Sequence, residues 1–304
     1  MEPYADVVES YARFVEEARD SPTFVEWANG VAADPDVVAW IRKLPALKQQ
    51  PNLVFAAARW HQVPAPGPYE GLRAALLDDD GAIAETILTR STQTNEVGRL
   101  ATLLPAFAQI ADRSPRPLAL LEVGASAGLC LYPEAWGYEW TSQAGPVRLG
   151  RPPYLPCRVS GPAPLPTALP EIAWRGGIDL NPLDVTDPDA MAWLENLIWP
   201  EQDERRERLR EAVRRARTDP PHLTRGDLLL DLPEMVEQAS EHGTVVVFHS
   251  AVIAYLEPSD RLRFDHLIRD MVGDGICHWV SNEGKQVLES VTATGPAIPP
   301  DHPT

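Results

Sequence analysis

Glu122, Gly124, Ser126 and Gly128 are the residues of this chain whose types and spacing most clearly suggest chemistry. They lie in Leu118-Ala-Leu-Leu-Glu-Val-Gly-Ala-Ser-Ala-Gly-Leu129, where apolar residues run into an acid and then a glycine turn. Glycine permits a sharp bend and a close approach of backbone to ligand. A helix start behind the turn presents unpaired N–H groups. A carboxylate at the strand tip accepts hydrogen bonds from ribose-like hydroxyls or an amine. Together these residues point to a nucleotide-like ligand.

Three chemistries compete for such a turn. The dinucleotide fingerprint G-x-G-x-x-G fails twice, because its later glycines fall on Ser126 and Leu129. The hydrolase elbow G-x-S-x-G is matched by Gly124-Ala-Ser-Ala-Gly128. It makes Ser126 a candidate nucleophile, with His249 or His278 as base. That elbow belongs after several strands, whereas the chain before residue 115 reads as helices. The third pattern, acid-x-Gly-x-Gly-x-Gly, is the turn that holds S-adenosyl-L-methionine. Glu122, Gly124 and Gly128 fit it, with Ser126 in the place of the middle glycine. It also lies on the first strand, as this reading requires.

Such a turn must be positioned by a parallel sheet. Strands are expected at 118–123, 172–180, near Leu223, at 244–249 and at 276–280. Helices at 188–199, 204–217 and 259–271 alternate with the later strands, the pattern of parallel strands joined by crossovers. A helix starting near Ser126 must end by Pro133, and 145–170 reads as an irregular excursion carrying a hairpin. Residues 1–115 read as an all-helical N-terminal cap. Apolar residues recur at three and four over 4–14. Pro51 opens a helix over 52–60, and a long helix over 82–110 bends near Pro105. About two dozen proline-rich residues follow Val280. About five strands are therefore expected, without the C-terminal strands of a full methyltransferase sheet, and with a loose tail over 285–304.

Composition narrows the partners. The net charge of −17 argues against nucleic acid, whose phosphates demand positive surface. The arginines of 204–217 interleave with acids at helical spacing and read as a solvated, self-paired helix. No apolar run reaches the roughly 18 residues of a membrane span, and the N-terminus lacks the order of a signal peptide. Cys130, Cys157 and Cys277 are far apart and form no C-x-x-C pair, so neither zinc nor a disulfide framework is expected. A reduced cytoplasm and a small-molecule substrate are the expectation.

Several motifs extend beyond the turn. Gln50-Pro-Asn52, Arg90-x-x-Gln-Thr-Asn-Glu-Val-Gly-Arg99, Leu121-Glu-Val-Gly-Ala-Ser-Ala-Gly-Leu129, Gly177-Ile-Asp-Leu-Asn-Pro-Leu-Asp184 and Phe248-His-Ser250 resemble an uncharacterised bacterial family, domain of unknown function 2332. The resemblance runs from about residue 45 to 284. It implies a class I methyltransferase-like fold in the second half and carries no established activity. Family members usually have asparagine at the position of Cys130.

Under the methyltransferase reading, Glu122 sits near the methionine end of the cofactor, and the backbone of Gly124, Ala125, Ser126 and Gly128 passes beside it. Asp179, followed by Leu180, ends the second strand and would take the ribose hydroxyls. Glu139 is a weaker candidate for that role. Asp227 and Leu228 fit the third-strand turn that holds the adenine amine. Each also has a plain structural role, Asp179 in a turn before Asn181-Pro182 above all. His249 ends the fourth strand as a candidate general base. Tyr255 would shape the substrate pocket, and Glu283 lies just past the fifth strand. Gln93, Thr94 and Asn95 are poor helix formers within an expected helix, which hints at a site. Arg90 or Arg99 would then bind the cofactor carboxylate or an acidic substrate, with Gln93 and Asn95 lining the pocket.

The sequence thus favours a Rossmann-like α/β protein, divided into 1–115, 116–284 and a tail from 285, acting as an S-adenosyl-L-methionine-dependent methyltransferase on a small molecule. The alternatives are a non-catalytic ligand- or partner-binding descendant of that fold, and a serine hydrolase using Ser126.

Overall fold

The computed structural model describes residues 6–93 and 95–295. The chain divides into two compact units, one of residues 1–94 with 187–211 and one of residues 95–186 with 212–304. This division differs from a boundary at 115/116, because a later segment returns to the first unit.

The first unit is helical in its described residues: α1 (Val7–Glu17), α2 (Pro22–Ala33), α3 (Pro35–Ile41), α4 (Pro51–Trp60), α5 (Tyr69–Leu77) and α6 (Ala82–Thr89), joined by α8 (Pro188–Asn196). Three of these helices start alike. Ser21-Pro22, Asp34-Pro35 and Asp187-Pro188 each place a capping oxygen before a proline that needs no N–H partner. The unit's core is aromatic: Phe14, Phe24, Trp27 and Phe55 are fully buried, and Trp193 from α8 joins the same cluster.

The second unit opens with α7 (Leu100–Ala111). The expected helix over 82–110 is in fact two, α6 and α7, with no α-helix among the described residues between them. Ser91, Thr92 and Asn95 are poor helix formers, and the Glu96 carboxylate caps the new start by accepting from the Gly98 N–H at 2.8 Å. Pro105 lies inside α7 and cannot donate to the Ala101 carbonyl. The Trp140 indole N–H donates to that carbonyl instead, at 2.8 Å.

A five-stranded parallel sheet follows, built from β1 (Leu118–Val123), β5 (Ile172–Asp179), β6 (His222–Arg225), β7 (Thr244–Ser250) and β8 (His278–Asn282) in the order β6-β5-β1-β7-β8. This Rossmann-like sheet is flanked by helices on both faces. Ala119, Leu121, Val123, Val245 and Val247 pack against α10 (Leu228–His242) and α11 (Pro258–Gly273). On the opposite face Phe107 of α7 meets Phe248 edge-to-face at 5.2 Å. Because side chains alternate along a strand, Glu122 lies on the α7 face and His249 on the α11 face.

The connection from β1 to β5 contains no α-helix. The expected helix near Ser126 is replaced by two short 3-10 turns, Leu129–Leu131 and Pro133–Ala135. Pro133 and the buried run from Leu129 to Tyr132 stop any longer helix. The excursion expected over 145–170 starts earlier: β2 (Gly137–Ser142), outside that range, forms a hairpin with β3 (Gly145–Leu149), and β4 (Tyr154–Arg158) completes a small three-stranded sheet. The connection from β5 to β6 contains α8 and α9 (Asp203–Ala216), and α12 (Glu289–Thr292) follows β8.

Candidate functional site

The strand order brings the carboxyl ends of β5, β1 and β7 side by side, with the order reversing at β1. Ligands of open α/β sheets bind in the crevice at such a reversal. Glu122 is the last residue but one of β1 there, and the turn 124–128 follows Val123.

The turn is held mostly by the protein itself. The Gly124 and Ala125 N–H groups donate to the Ile178 carbonyl at 2.8 and 3.2 Å, and Gly128 donates to Ala125 at 2.7 Å. The Ser126 N–H donates to Asp179 Oδ2 at 2.8 Å, and the Asn181 N–H to Asp179 Oδ1 at 2.7 Å. Asn95 braces the turn from both ends: its Nδ2 donates to the Ala125 carbonyl at 2.7 Å, and its Oδ1 accepts from the Leu129 N–H at 2.9 Å. With no α-helix behind it, the turn offers no row of free N–H groups. Its glycines also meet protein rather than open space. A Cβ on Gly124 would lie 2.3 Å from Val252 Cγ2, and one on Gly128 would lie 2.8 Å from Pro221 Cγ.

Two polar atoms in this region are buried without a hydrogen-bond partner, Glu122 Oε2 and Ser126 Oγ. Both residues are only 4% exposed. Burial pushes the Glu122 carboxyl well above the usual carboxylate range; the Arg99 guanidinium opposes this and the Asp179 charge adds to it. Burial also pushes up the Cys130 thiol, which neighbours Glu122, Arg99 and Glu96. The Arg99 Nη1 donates to the Ser250 carbonyl at 2.8 Å. Glu122, Asn95, Arg99, Ser126 and Asp179 therefore gather around one turn.

A family model described as "Uncharacterized protein conserved in bacteria (DUF2332)" matches residues 8–297. The chain belongs to that family. No curated protein and no solved structure matches it.

Other residues singled out in this DUF2332 chain stand elsewhere or in structural roles. His249 is fully buried. Its Nε2 accepts from the Trp279 indole N–H at 3.0 Å, and its Nδ1 donates to Glu283 Oε1 at 2.8 Å. The imidazole is therefore the neutral Nδ1–H form with both nitrogens occupied, and no nitrogen is left to take a substrate proton. Glu283 Oε1 also accepts from the Val252 and Ile253 N–H groups, at 2.9 and 3.2 Å. Burial pushes the Glu283 carboxyl up, but these hydrogen bonds outweigh it and hold it below the usual range. Glu283 thus fixes the loop after β7, where Ala251 has φ +55° and Val252 packs on Gly124.

Ser126 has φ +52°, the strained backbone of an elbow nucleophile, yet no base reaches its hydroxyl among the described residues. Asp227 caps α10 by accepting from the Leu229 N–H at 2.7 Å, which is its structural role, and Leu228 packs against the core on the α10 face. Leu180 is 73% and Tyr255 82% exposed. Glu139 pairs with Arg148 across the β2–β3 hairpin. Arg90 belongs to the first unit, where it pairs with Asp189 at 2.7 Å and lies over the Trp60 and Trp193 rings at 5.1 and 5.3 Å. Gln93 is half-buried in that unit, and Thr94 lies outside the described residues. The run Arg90 to Arg99 is thus no single helix face: its ends belong to different units.

Sequence reasoning missed Val252 and Trp279. No local signal marks either, since Val252 matters through contact with a glycine and Trp279 through a histidine on the neighbouring strand. Among the described residues, no helix is long and apolar enough to cross a membrane, and no group of three or more His, Cys, Asp or Glu side chains could hold a metal ion.

Proposed function

We propose that the second unit binds S-adenosyl-L-methionine across the carboxyl ends of β1, β5 and β7 and transfers its methyl group to a small-molecule acceptor. One observation carries the reading: the first strand in sequence is the central strand of the sheet and ends in acid-x-glycine at the reversal of strand order. The sheet's strands lie in the order third, second, first, fourth, fifth, the doubly wound order of nucleotide-binding sheets. The first five strands of a class I methyltransferase share it. In this chain an acid stands at or one residue before the end of the first and second strands, Glu122 and Asp179.

The unpartnered Glu122 Oε2 and Ser126 Oγ are the atoms such a ligand would satisfy. Asp179 spends one lone pair of each oxygen on the turn and keeps the other for ribose hydroxyls. Arg99 supplies positive charge beside Glu122. The bound group supplies an electrophilic methyl carbon; the protein's task is to align an acceptor with it and exclude water. With His249 committed to Trp279 and Glu283, acceptors that must lose a proton to a protein base fit this site poorly.

A second reading has its own support. The Gly124, Ala125, Ser126 and Gly128 N–H groups of the turn are satisfied internally and Val252 lies on Gly124, which favours a ligand-binding protein without turnover. Calorimetric titration of the full chain with S-adenosylhomocysteine tests the first step. Binding is expected, and Glu122→Ala or Asp179→Ala should each weaken it about tenfold or more, the worth of a charge-assisted bond. No heat at millimolar ligand rejects the proposal. Binding without methyl transfer across a broad acceptor panel selects the second reading.

A further inference from the structure

The two edges of the five-stranded sheet are built differently. β6 is four residues long, follows Pro220-Pro221 and carries Arg225. Short length, proline and charge are the usual devices that stop an edge from pairing with another chain. β8, His278-Trp-Val-Ser-Asn282, has none of them: no proline, no Lys, Arg, Asp or Glu, and an unbroken register with β7. His278 is exposed, and the other four residues are half-buried. A groove of about 400 Å³ runs beside this edge. Thr102, Ala106 and Gln109 of α7 line one side, with Pro164, and His278 and Val280 of β8 line the other.

We propose that β8 pairs with the β8 of a second copy of this chain, antiparallel about a twofold axis through Val280. That register sets Val280 opposite itself, Trp279 opposite Ser281 and His278 opposite Asn282, so every residue of the strand is used. The axis stands perpendicular to the sheet, so both copies of α7 fall on one face of a ten-strand sheet. Their grooves then face each other across the axis, and the contact is the same patch on both copies, as closed twofold symmetry demands.

Charge selects a second copy as the occupant. The chain carries 44 acids against 27 basic residues, so two copies repel over most of their surface. Among the described residues, the β8 edge and its groove contain no acid, and their only ionisable side chains are Arg113 and His278. The acid-free patch lies at the edge that lacks pairing defences. Backbone hydrogen bonds across the edge carry no charge and are not weakened by screening, whereas the acid–acid repulsion is.

Sedimentation velocity of the full chain, from 1 to 100 µM in 50 and 500 mM salt, tests this. A dimer is expected whose dissociation constant falls several-fold at the higher salt. Val280→Asp sets two carboxylates face to face and should leave a monomer. Because Val280 is half-buried, Ala106→Glu on the α7 side of the groove is the second variant; it too should leave a monomer, with unchanged circular dichroism and a melting temperature that no longer depends on protein concentration. A wild-type monomer at 100 µM in both salts overturns the proposal. So does a dimer that survives both variants, which would put the interface elsewhere, and so does a dimer that weakens as salt rises.

Discussion

Gly124→Ala is the most direct probe of how the turn is closed. Gly124 has φ +69°, and an added Cβ would lie 2.3 and 3.1 Å from the two Val252 methyl carbons and 2.7 Å from Val252 Cβ. Two costs follow. Left-handed backbone costs a residue with a side chain about 1–2 kcal/mol, and forcing a methyl into packed space costs about 1–3 kcal/mol. The sum, about 2–5 kcal/mol, is a large part of a typical total stability of about 5–15 kcal/mol. Gly275 separates the two terms, because it has φ +71° and nothing within 4 Å of an added Cβ. Gly275→Ala should cost only the backbone term, about 1–2 kcal/mol. Scanning calorimetry would show the difference, at about 2–4 °C of melting temperature per kcal/mol for a domain of this size. Adding Val252→Ala removes both γ methyl groups and should return about 1–2 kcal/mol of the Gly124→Ala loss, a coupling of the size contacting residues show. The reasoning is refuted if Gly124→Ala costs no more than Gly275→Ala, or costs the same with and without Val252→Ala.

Asn95→Ala strips partners from two buried backbone groups, the Ala125 carbonyl and the Leu129 N–H. At about 1–3 kcal/mol for each such group, the loss is roughly 2–6 kcal/mol. Denaturant unfolding measures it, and a loss under about 1 kcal/mol contradicts the bracing role. Glu122 has a raised folded pKa, so the folded state holds its proton to higher pH than the unfolded chain does. Its burial therefore costs stability increasingly as pH rises above the ordinary value of 4.5, at no more than about 1.4 kcal/mol per pH unit. Glu122→Gln should raise the melting temperature at pH 8 and have little effect near pH 4; a uniform effect at both would be inconsistent with that origin. Glu283 has the opposite sign. Its lowered pKa means a stabilisation that is complete above the ordinary value of 4.5 and lost as pH falls through the folded value. Glu283→Gln should thus destabilise at pH 7 and flatten the acid limb of the stability curve.

The sheet was legible because each strand is short, apolar and bounded by turn residues. Thr244 to Phe248, β-branched or aromatic throughout, cannot be read otherwise. Two helices were misjudged for local reasons. The apolar run behind Ser126 is helix-like in composition, yet burial on all sides and Pro133 leave it in 3-10 turns. The stretch over 82–110 breaks where Ser91, Thr92 and Asn95 stand, so these poor helix formers mark a break between two helices. Glu122 and Asp179 were placed at strand tips by pattern alone. The state of His249 was not legible, because the groups that occupy its ring come from β8 and the loop beyond it, about thirty residues away in sequence. Likewise nothing local says that residues 187–211 return to the first unit. That return depends on Trp193 finding an aromatic core laid down far earlier in the chain.

This return has a consequence during synthesis. Helices α1 to α6 leave the ribosome long before α8 does, and they emerge with an unfinished interior. Arg59, which donates to the Asn196 and Ile198 carbonyls at 2.8 and 2.7 Å, has no acceptor there yet. Ser21 and the Thr23 N–H still await the Glu201 carboxylate. At roughly 5–20 residues per second, the hundred or so residues in between take on the order of ten seconds to appear. During that interval the nascent helices expose the rings that this segment will cover, Trp60 by Trp193 and Phe14 and Phe24 by Trp199, and a chaperone holding that surface would protect it until the closing segment arrives.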